Sequence, residues 1–232
     1  MSKVNDIEEL IAGRSAEEIL EVISGLSSEK IVFSTSLSYE DQVITHMIFS
    51  KKLNIEVFTL DTGRLFSETY SVFNSTRGKY KREIKTYYPR TEAVENMVST
   101  KGPNSFYESV ENRKECCYIR KVEPLKRALT KKTIWITGIR SEQSANRSDM
   151  RQVEWDETHQ LIKVHPLLNW TFEETKAYIN KHNIPYNSLH DKGFVSIGCQ
   201  PCTRAIKTGE DFRAGRWWWE DSTKKECGLH TN

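Results

Sequence analysis

Residues 133–139, TIWITGI, decide the fold. Every side chain but that of Gly138 is β-branched or aromatic, and no charge interrupts the run, which is the composition of a buried strand. Working back towards the N-terminus, further strand-like segments fall at 82–87 (REIKTY, interrupted by charges), at 55–60 (IEVFTL) and at 30–35, where IVFST follows Lys30. Helical spacing separates these runs. It is seen in 118–129, 91–99, 66–76, 42–53 (Val43, Ile44, Met47, Ile48) and 15–26, the last opened by the capping box Ser15 and Glu18. Strand and helix alternating at short spacing predict βαβ units, and right-handed crossovers then predict an α/β fold with a doubly wound, mostly parallel sheet.

Beyond Ile139 the pattern changes. VEWD at 153–156 and LIKVHPL at 161–167 flank a polar turn, as a hairpin would, and Thr171 with Glu174 opens a helix running to about His182. From Pro185 onward Pro, Gly, Cys and Trp punctuate the chain, predicting an irregular C-terminal tail. At 232 residues, 37% of them apolar, the chain can bury one good core. No apolar run approaches the roughly 18 residues that cross a bilayer, and the N-terminus has no secretory pattern, so a cytoplasmic protein without a membrane partner is expected. The net charge of +2 gives no support to a nucleic-acid coat. Basic residues do cluster at Lys79, Lys81, Arg82 and Lys85 and at Arg113, Lys114, Arg120, Lys121, Lys126 and Arg127. Each run reads as a solvated helix face or as a seat for a small anion.

Five cysteines without an export signal point to metal or catalytic thiols. Cys116 and Cys117 are adjacent, and Cys199 and Cys202 form a CxxC pair. Four thiolates suit an iron-sulfur cluster or a zinc ion. Adjacent helical cysteines diverge by roughly 100° and reach two corners of a cubane more readily than two sites on one ion. An iron-sulfur cluster, zinc and free thiols stay open in that order. Cys227 stands apart in KKECGLH, where Lys224, Lys225 and His230 would favour its thiolate, as a nucleophile requires, though a tail cysteine of no consequence fits as well.

The loop after the first strand, with Ser34, Thr35 and Ser36, sets hydroxyls and backbone N–H groups at a helix N-terminus, a setting for an anion. It lacks the glycines and lysine of a phosphoryl-transfer loop. Gly63 and Arg64 in LDTGR, and Gly138 and Arg140 in TGIRSEQSANR, fall at the carboxyl edge of the sheet, where ligands of such folds bind. Glu40 and Asp41 are acidic enough for general-base work, yet a helix first turn favours acidic residues anyway. His46, His159, His165, His182 and His190 have no partners at metal-like spacing and read as structural or surface residues. Trp217, Trp218 and Trp219 read as packing for the tail or as a docking surface.

Taken together, the strings STSLSYEDQV, TLDTGRLFSET, KECCYIRKVEPLKRAL, WITGIRSEQSANR, KVHPLLNWT, GCQPCTR, GEDFRAGRWWWE and KECGLH resemble the phosphoadenylyl-sulfate and adenylyl-sulfate reductase family, in its order and over about residues 32–230. The resemblance implies a fold of the adenine-nucleotide α-hydrolase type. It implies residues 1–202 as the reductase region and 203–232 as a mobile catalytic tail of the same domain. It makes Cys227 the nucleophile, with His230 and Lys121 beside it in catalysis. Cys116, Cys117, Cys199 and Cys202 become ligands of a 4Fe-4S cluster. Ser34, Ser36, Gly63, Arg64, Arg140, Arg147, Arg213 and Arg216 become the substrate-binding set. The implied substrate is adenylyl sulfate. STSLSYED departs from the glycine-containing loop of typical adenylyl-sulfate enzymes, and some cluster-bearing members also accept the 3'-phosphorylated nucleotide. The implied reductant is thioredoxin or glutaredoxin, and a homo-oligomer is an admissible assembly. An ATP-using enzyme of the same fold and a non-catalytic metal-cluster nucleic-acid-binding module are the competing readings.

Overall fold

The computed structural model of the chain describes residues 2–26, 28–143 and 150–220. Their elements, in chain order, are α1 (Ser2–Ile11), α2 (Ala16–Ser24), β1 (Ile31–Ser34), α3 (Tyr39–Ser50), β2 (Glu56–Leu60), α4 (Ser67–Tyr80), β3 (Lys85–Tyr87), α5 (Thr91–Lys101), α6 (Val110–Cys117), α7 (Glu123–Leu129), β4 (Ile134–Ile136), β5 (Val153–Asp156), β6 (Leu161–Val164) and α8 (Phe172–Lys181). The six strands form one sheet in the order β3-β2-β1-β4-β6-β5. β1 is parallel to β2 and β4, and β4 to β6, while β5 closes the edge antiparallel to β6. The expected doubly wound, mostly parallel sheet is therefore present. Among the described residues no helix is long and apolar enough to cross a membrane.

The chain divides into two compact units. The first comprises Met1–Thr59, Glu68–Lys85 and Lys131–Asn187; the second comprises Leu60–Ser67, Thr86–Thr130 and Ser188–Asn232. In the first, β1 and β4 are the central strands that their apolar runs demand, with Val32, Phe33, Ile134 and Ile136 fully buried. Each such side chain contributes about 1.5–3 kcal/mol relative to exposure. Ile19, Leu20 and Ile23 of α2 and Val43, Ile44 and Ile48 of α3 complete this core. The predicted capping boxes close α2 at Ser15 and Glu18 and α8 at Thr171 and Glu174.

In the second unit, α6 ends on Cys117 and passes directly into a π-helical turn, Tyr118–Val122, before α7. One continuous helix over 118–129 was the expectation, and the cysteines were not placed on a helix of their own. VENRKECC has no apolar stripe to betray that helix, and a π turn leaves no signature in side-chain periodicity. Among the described residues, 186–220 are irregular, as expected, with two short 3₁₀ turns, Ser188–Lys192 and Gln200–Cys202.

Candidate functional site

In the first unit the strand order reverses between β1 and β4, which is the topological switch point where open α/β sheets place ligands. The loops after these strands meet there. Ser36 donates through its backbone N–H and its hydroxyl to Oδ2 of Asp41, at 2.6 and 2.5 Å. The Ser34 hydroxyl accepts from the indole N–H of Trp135 at 2.8 Å. Burial pushes the Asp41 carboxyl up to about 7 against the lowering effect of the Ser36 donors. A Cβ on Gly138 would lie 2.1 Å from Oδ1 of Asp41, so glycine is needed for the two loops to approach. Arg140, buried at this edge, donates from Nε to Glu40 at 2.9 Å and from Nη1 to Glu142 at 2.6 Å. Glu40 and Asp41, readable as ordinary first-turn acids, thus organise the two loops that carry Ser36 and Arg140.

In the second unit the four cysteines Cys116, Cys117, Cys199 and Cys202 line one cavity together with Arg64, Arg113, Arg120, Lys121, Phe106 and Pro201. The sequence brings them together from three directions. The turn Asp61–Arg64 is shaped by Gly63 at φ 70°, by the Gly63 N–H bonding to Asp61 Oδ1 and by the Arg64 N–H bonding to Thr62 Oγ1. It accepts the Gln200 N–H on the Arg64 carbonyl, and Thr62 Oγ1 lies 3.3 Å from the Cys199 sulfur. Arg120, from the π turn, donates to the Thr62 carbonyl at 2.6 Å. The CxxC turn closes on itself through the Cys202 N–H and the Thr203 hydroxyl, both donating to the Cys199 carbonyl.

Burial pushes the Cys202 thiol up to about 12, reinforced by Cys199, and pushes Cys116 up as well. Left to themselves these sulfurs stay protonated, and a cation is what converts such thiols to ligands. Among the described residues no group of three or more His, Cys, Asp or Glu side chains is spaced to hold a single metal ion. Of the basic cluster on 113–127, Arg113 and Arg120 are 1% and 7% exposed and so are not a solvated face, whereas Lys114 and Lys126 are exposed. Arg216 is 8% exposed, and a Cβ on Gly198 would fall 2.4 Å from its guanidinium. Its Nε has no hydrogen-bond partner among the described residues. Arg213 sits in the turn after Asp211, whose carboxylate accepts its N–H. Cys227, His230 and Arg147 lie outside the described residues. Sequence reasoning missed Thr62, Glu220 and Gly198. Glu220, paired with Arg113, follows three tryptophans and precedes Asp221, and gives no signal before the fold is known.

A parallel sheet with a built switch point, and a separate unit presenting four cysteines and buried arginines, define a nucleotide-handling α/β enzyme with a cysteine-rich site. Residues 30–205 match the phosphoadenosine phosphosulfate reductase domain, and the chain belongs to that family. The adenosine 5'-phosphosulfate reductase of Burkholderia cepacia is 49% identical over 89% of this chain and 82% of its own. That of Rhizobium meliloti is 50% identical over 95% and 81%. The phosphoadenylyl-sulfate reductase of Candida auris, a crystal structure in complex with phosphate, superposes with a TM-score of 0.73 at 26% identity, covering 88% of this chain and 96% of that one. FMN adenylyltransferase of Candida glabrata, at 15% identity and a TM-score of 0.53, shares the fold alone.

Proposed function

We infer that the chain reduces adenylyl sulfate to sulfite and AMP, with Cys227 as nucleophile and a 4Fe-4S cluster on Cys116, Cys117, Cys199 and Cys202. The observation that carries the reading is the single cavity lined by four thiols and four cations in a member of this family. Four thiols around one space, two of them adjacent on the chain, suit a cubane better than zinc. A cubane on four thiolates is net anionic, and Arg64, Arg113, Arg120 and Lys121 line the cavity with the opposite sign. When bound, the cluster supplies structural cohesion and a fixed electrostatic field beside the substrate.

The chain's own residues carry the reaction. The Cys227 thiolate attacks the sulfur of adenylyl sulfate, the S–O bond to AMP breaks, and the S-sulfonate forms on Cys227. A thiol of a thioredoxin- or glutaredoxin-type reductant then attacks the Cys227 sulfur. Sulfite leaves with the bonding pair, and a second reductant thiol resolves the mixed disulfide. An anionic thiolate must approach an anionic sulfate, so fixed cations aimed at the developing charge are required. Lys121, Arg213, Arg216 and His230 are assigned that role. Ser34, Ser36, Gly63, Arg64, Arg140 and Arg147 are assigned to nucleotide binding. The Ser36–Asp41 and Arg140–Glu40 bonds indicate that Ser36 and Arg140 shape the loops as well. Residues 203–232 serve as the catalytic segment, and a cytoplasmic setting supplies the reductant.

The test is sulfite release by anaerobically purified protein with reduced thioredoxin, comparing adenylyl sulfate with its 3'-phosphorylated form. Cys227→Ser is expected to abolish sulfite formation while the cluster absorbance survives. Ordinary turnover by that variant would remove the nucleophile assignment.

A further inference from the structure

Glu220 lies seven residues before Cys227. Its side chain is 5% exposed and Arg113, its partner, 1%. Nε of Arg113 donates to Oε1 at 2.9 Å and Nη2 to Oε2 at 2.8 Å, so both carboxylate oxygens are held. The Arg113 guanidinium lies 4.8 Å from the ring centroid of Trp217, and that of Arg216 lies at 4.8 Å as well. Trp217 is buried at φ 41°, a conformation that a bulky residue keeps only when its surroundings impose it. Its N–H donates to the Cys202 carbonyl at 3.1 Å, and the Glu220 N–H donates to the Trp217 carbonyl at 2.8 Å. Residues 216–220 therefore grip the CxxC turn through the backbone and the helix of Cys116 and Cys117 through a side chain. Arg113 stands one helical turn before Cys117 and lines the same cavity.

A buried ion pair adds little net stability over apolar packing of the same volume. What a bidentate pair adds is direction. We propose that Arg113 and Glu220 are a positioning pair that sets where the Cys227 segment departs from the cysteine-bearing helix. The proposal rests on the reading of Cys227 as nucleophile. Seven residues reach at most about 25 Å, so holding Glu220 bounds the volume from which the Cys227 thiolate can approach the sulfate sulfur. Misplacement of a reacting group by about 1 Å is worth on the order of 100-fold in rate.

The experiment uses cluster-loaded full-length protein and three readouts: cluster absorbance, the rate at which adenylyl sulfate without reductant places an S-sulfonate on Cys227 (intact mass), and the rate of Cys227 alkylation by iodoacetamide without nucleotide. Glu220→Gln is expected to keep the absorbance and the alkylation rate and to slow S-sulfonate formation on the order of tenfold. Arg113→Lys keeps the buried charge without the fork and is expected to show a smaller loss in the same readout only. S-sulfonation at the wild-type rate in Glu220→Gln overturns the proposal, as does a loss in both variants that tracks cluster content, which would make the pair part of the cluster's scaffold. No S-sulfonate on Cys227 in the wild-type protein removes the nucleophile reading and this proposal together.

Discussion

Gly138 has no room for a methyl group. Its Cβ would sit 2.1 Å from Oδ1 of Asp41, a short side chain already held by two donors of Ser36. Gly138→Ala is expected to cost about 1–3 kcal/mol by overpacking and to weaken nucleotide binding by displacing the Ser36 loop; urea unfolding and KM check the two effects separately. Asp41 itself leaves a mark on pH dependence. Its carboxyl is raised from an unfolded value near 3.8 to about 7, so between those limits the folded state binds the extra proton and stability falls as pH rises. Over about three units the loss reaches up to about 4 kcal/mol. Asp41→Asn removes the titration, so its urea midpoints at pH 5 and pH 8 should differ less than those of the wild type. An unchanged difference would assign the pH dependence elsewhere.

At the scale of elements, the β5–β6 hairpin is tied by charges that its sequence pattern conceals. Lys163, 2% exposed, lies 2.9 Å from Asp156, 1% exposed, and His159 Nδ1 lies 2.8 Å from the same carboxylate. Burial would raise the Asp156 carboxyl, but hydrogen bonds from His159 and Lys163 outweigh it and hold it below the usual range. Lys163→Met leaves the buried carboxylate to its bonds with His159 and is expected to cost up to about 3–5 kcal/mol, whereas Lys163→Met with Asp156→Leu should recover most of that loss; thermal melts of the two variants decide it. This hairpin, the two capped helices and the central strands were legible because periodicity and caps are local signals. α1 and α6 were not read. α6 has almost no apolar face, and its role is to deliver Arg113 and two cysteines to partners 80 or more residues away in sequence. The resemblance named the four cysteines and the CGLH segment, and the structure draws the four cysteines to one cavity. The loop-organising roles of Glu40 and Asp41 and the burial of Arg113 and Arg120 depend on tertiary partners that no spacing encodes.

For the whole molecule, the two compact units differ in what holds them. The first rests on an apolar core of strands and helices. The second gathers four thiols, a buried Arg113, Arg120 and Arg216, and few core aliphatics; Arg113 has Glu220, while Nε of Arg120 and of Arg216 has no hydrogen-bond partner among the described residues. Burial favours Cys202 and Cys116 as neutral thiols, and among the described residues Glu220 is the acid paired with one of these arginines, Arg113. An anionic cluster would supply both the ligand bonds and the missing counter-charge, so its removal should act on this unit. Hydrogen exchange of cluster-loaded and chelator-stripped protein is the measurement. Protection is expected to fall in 110–122 and 198–217, and amides of β1, β4 and β6 are expected to keep theirs, because their donors pair within the sheet and their side chains are packed in the first core. Equal loss in the strands and the cysteine segments would mean that one cooperative unfolding spans both units and that the cluster's contribution is global.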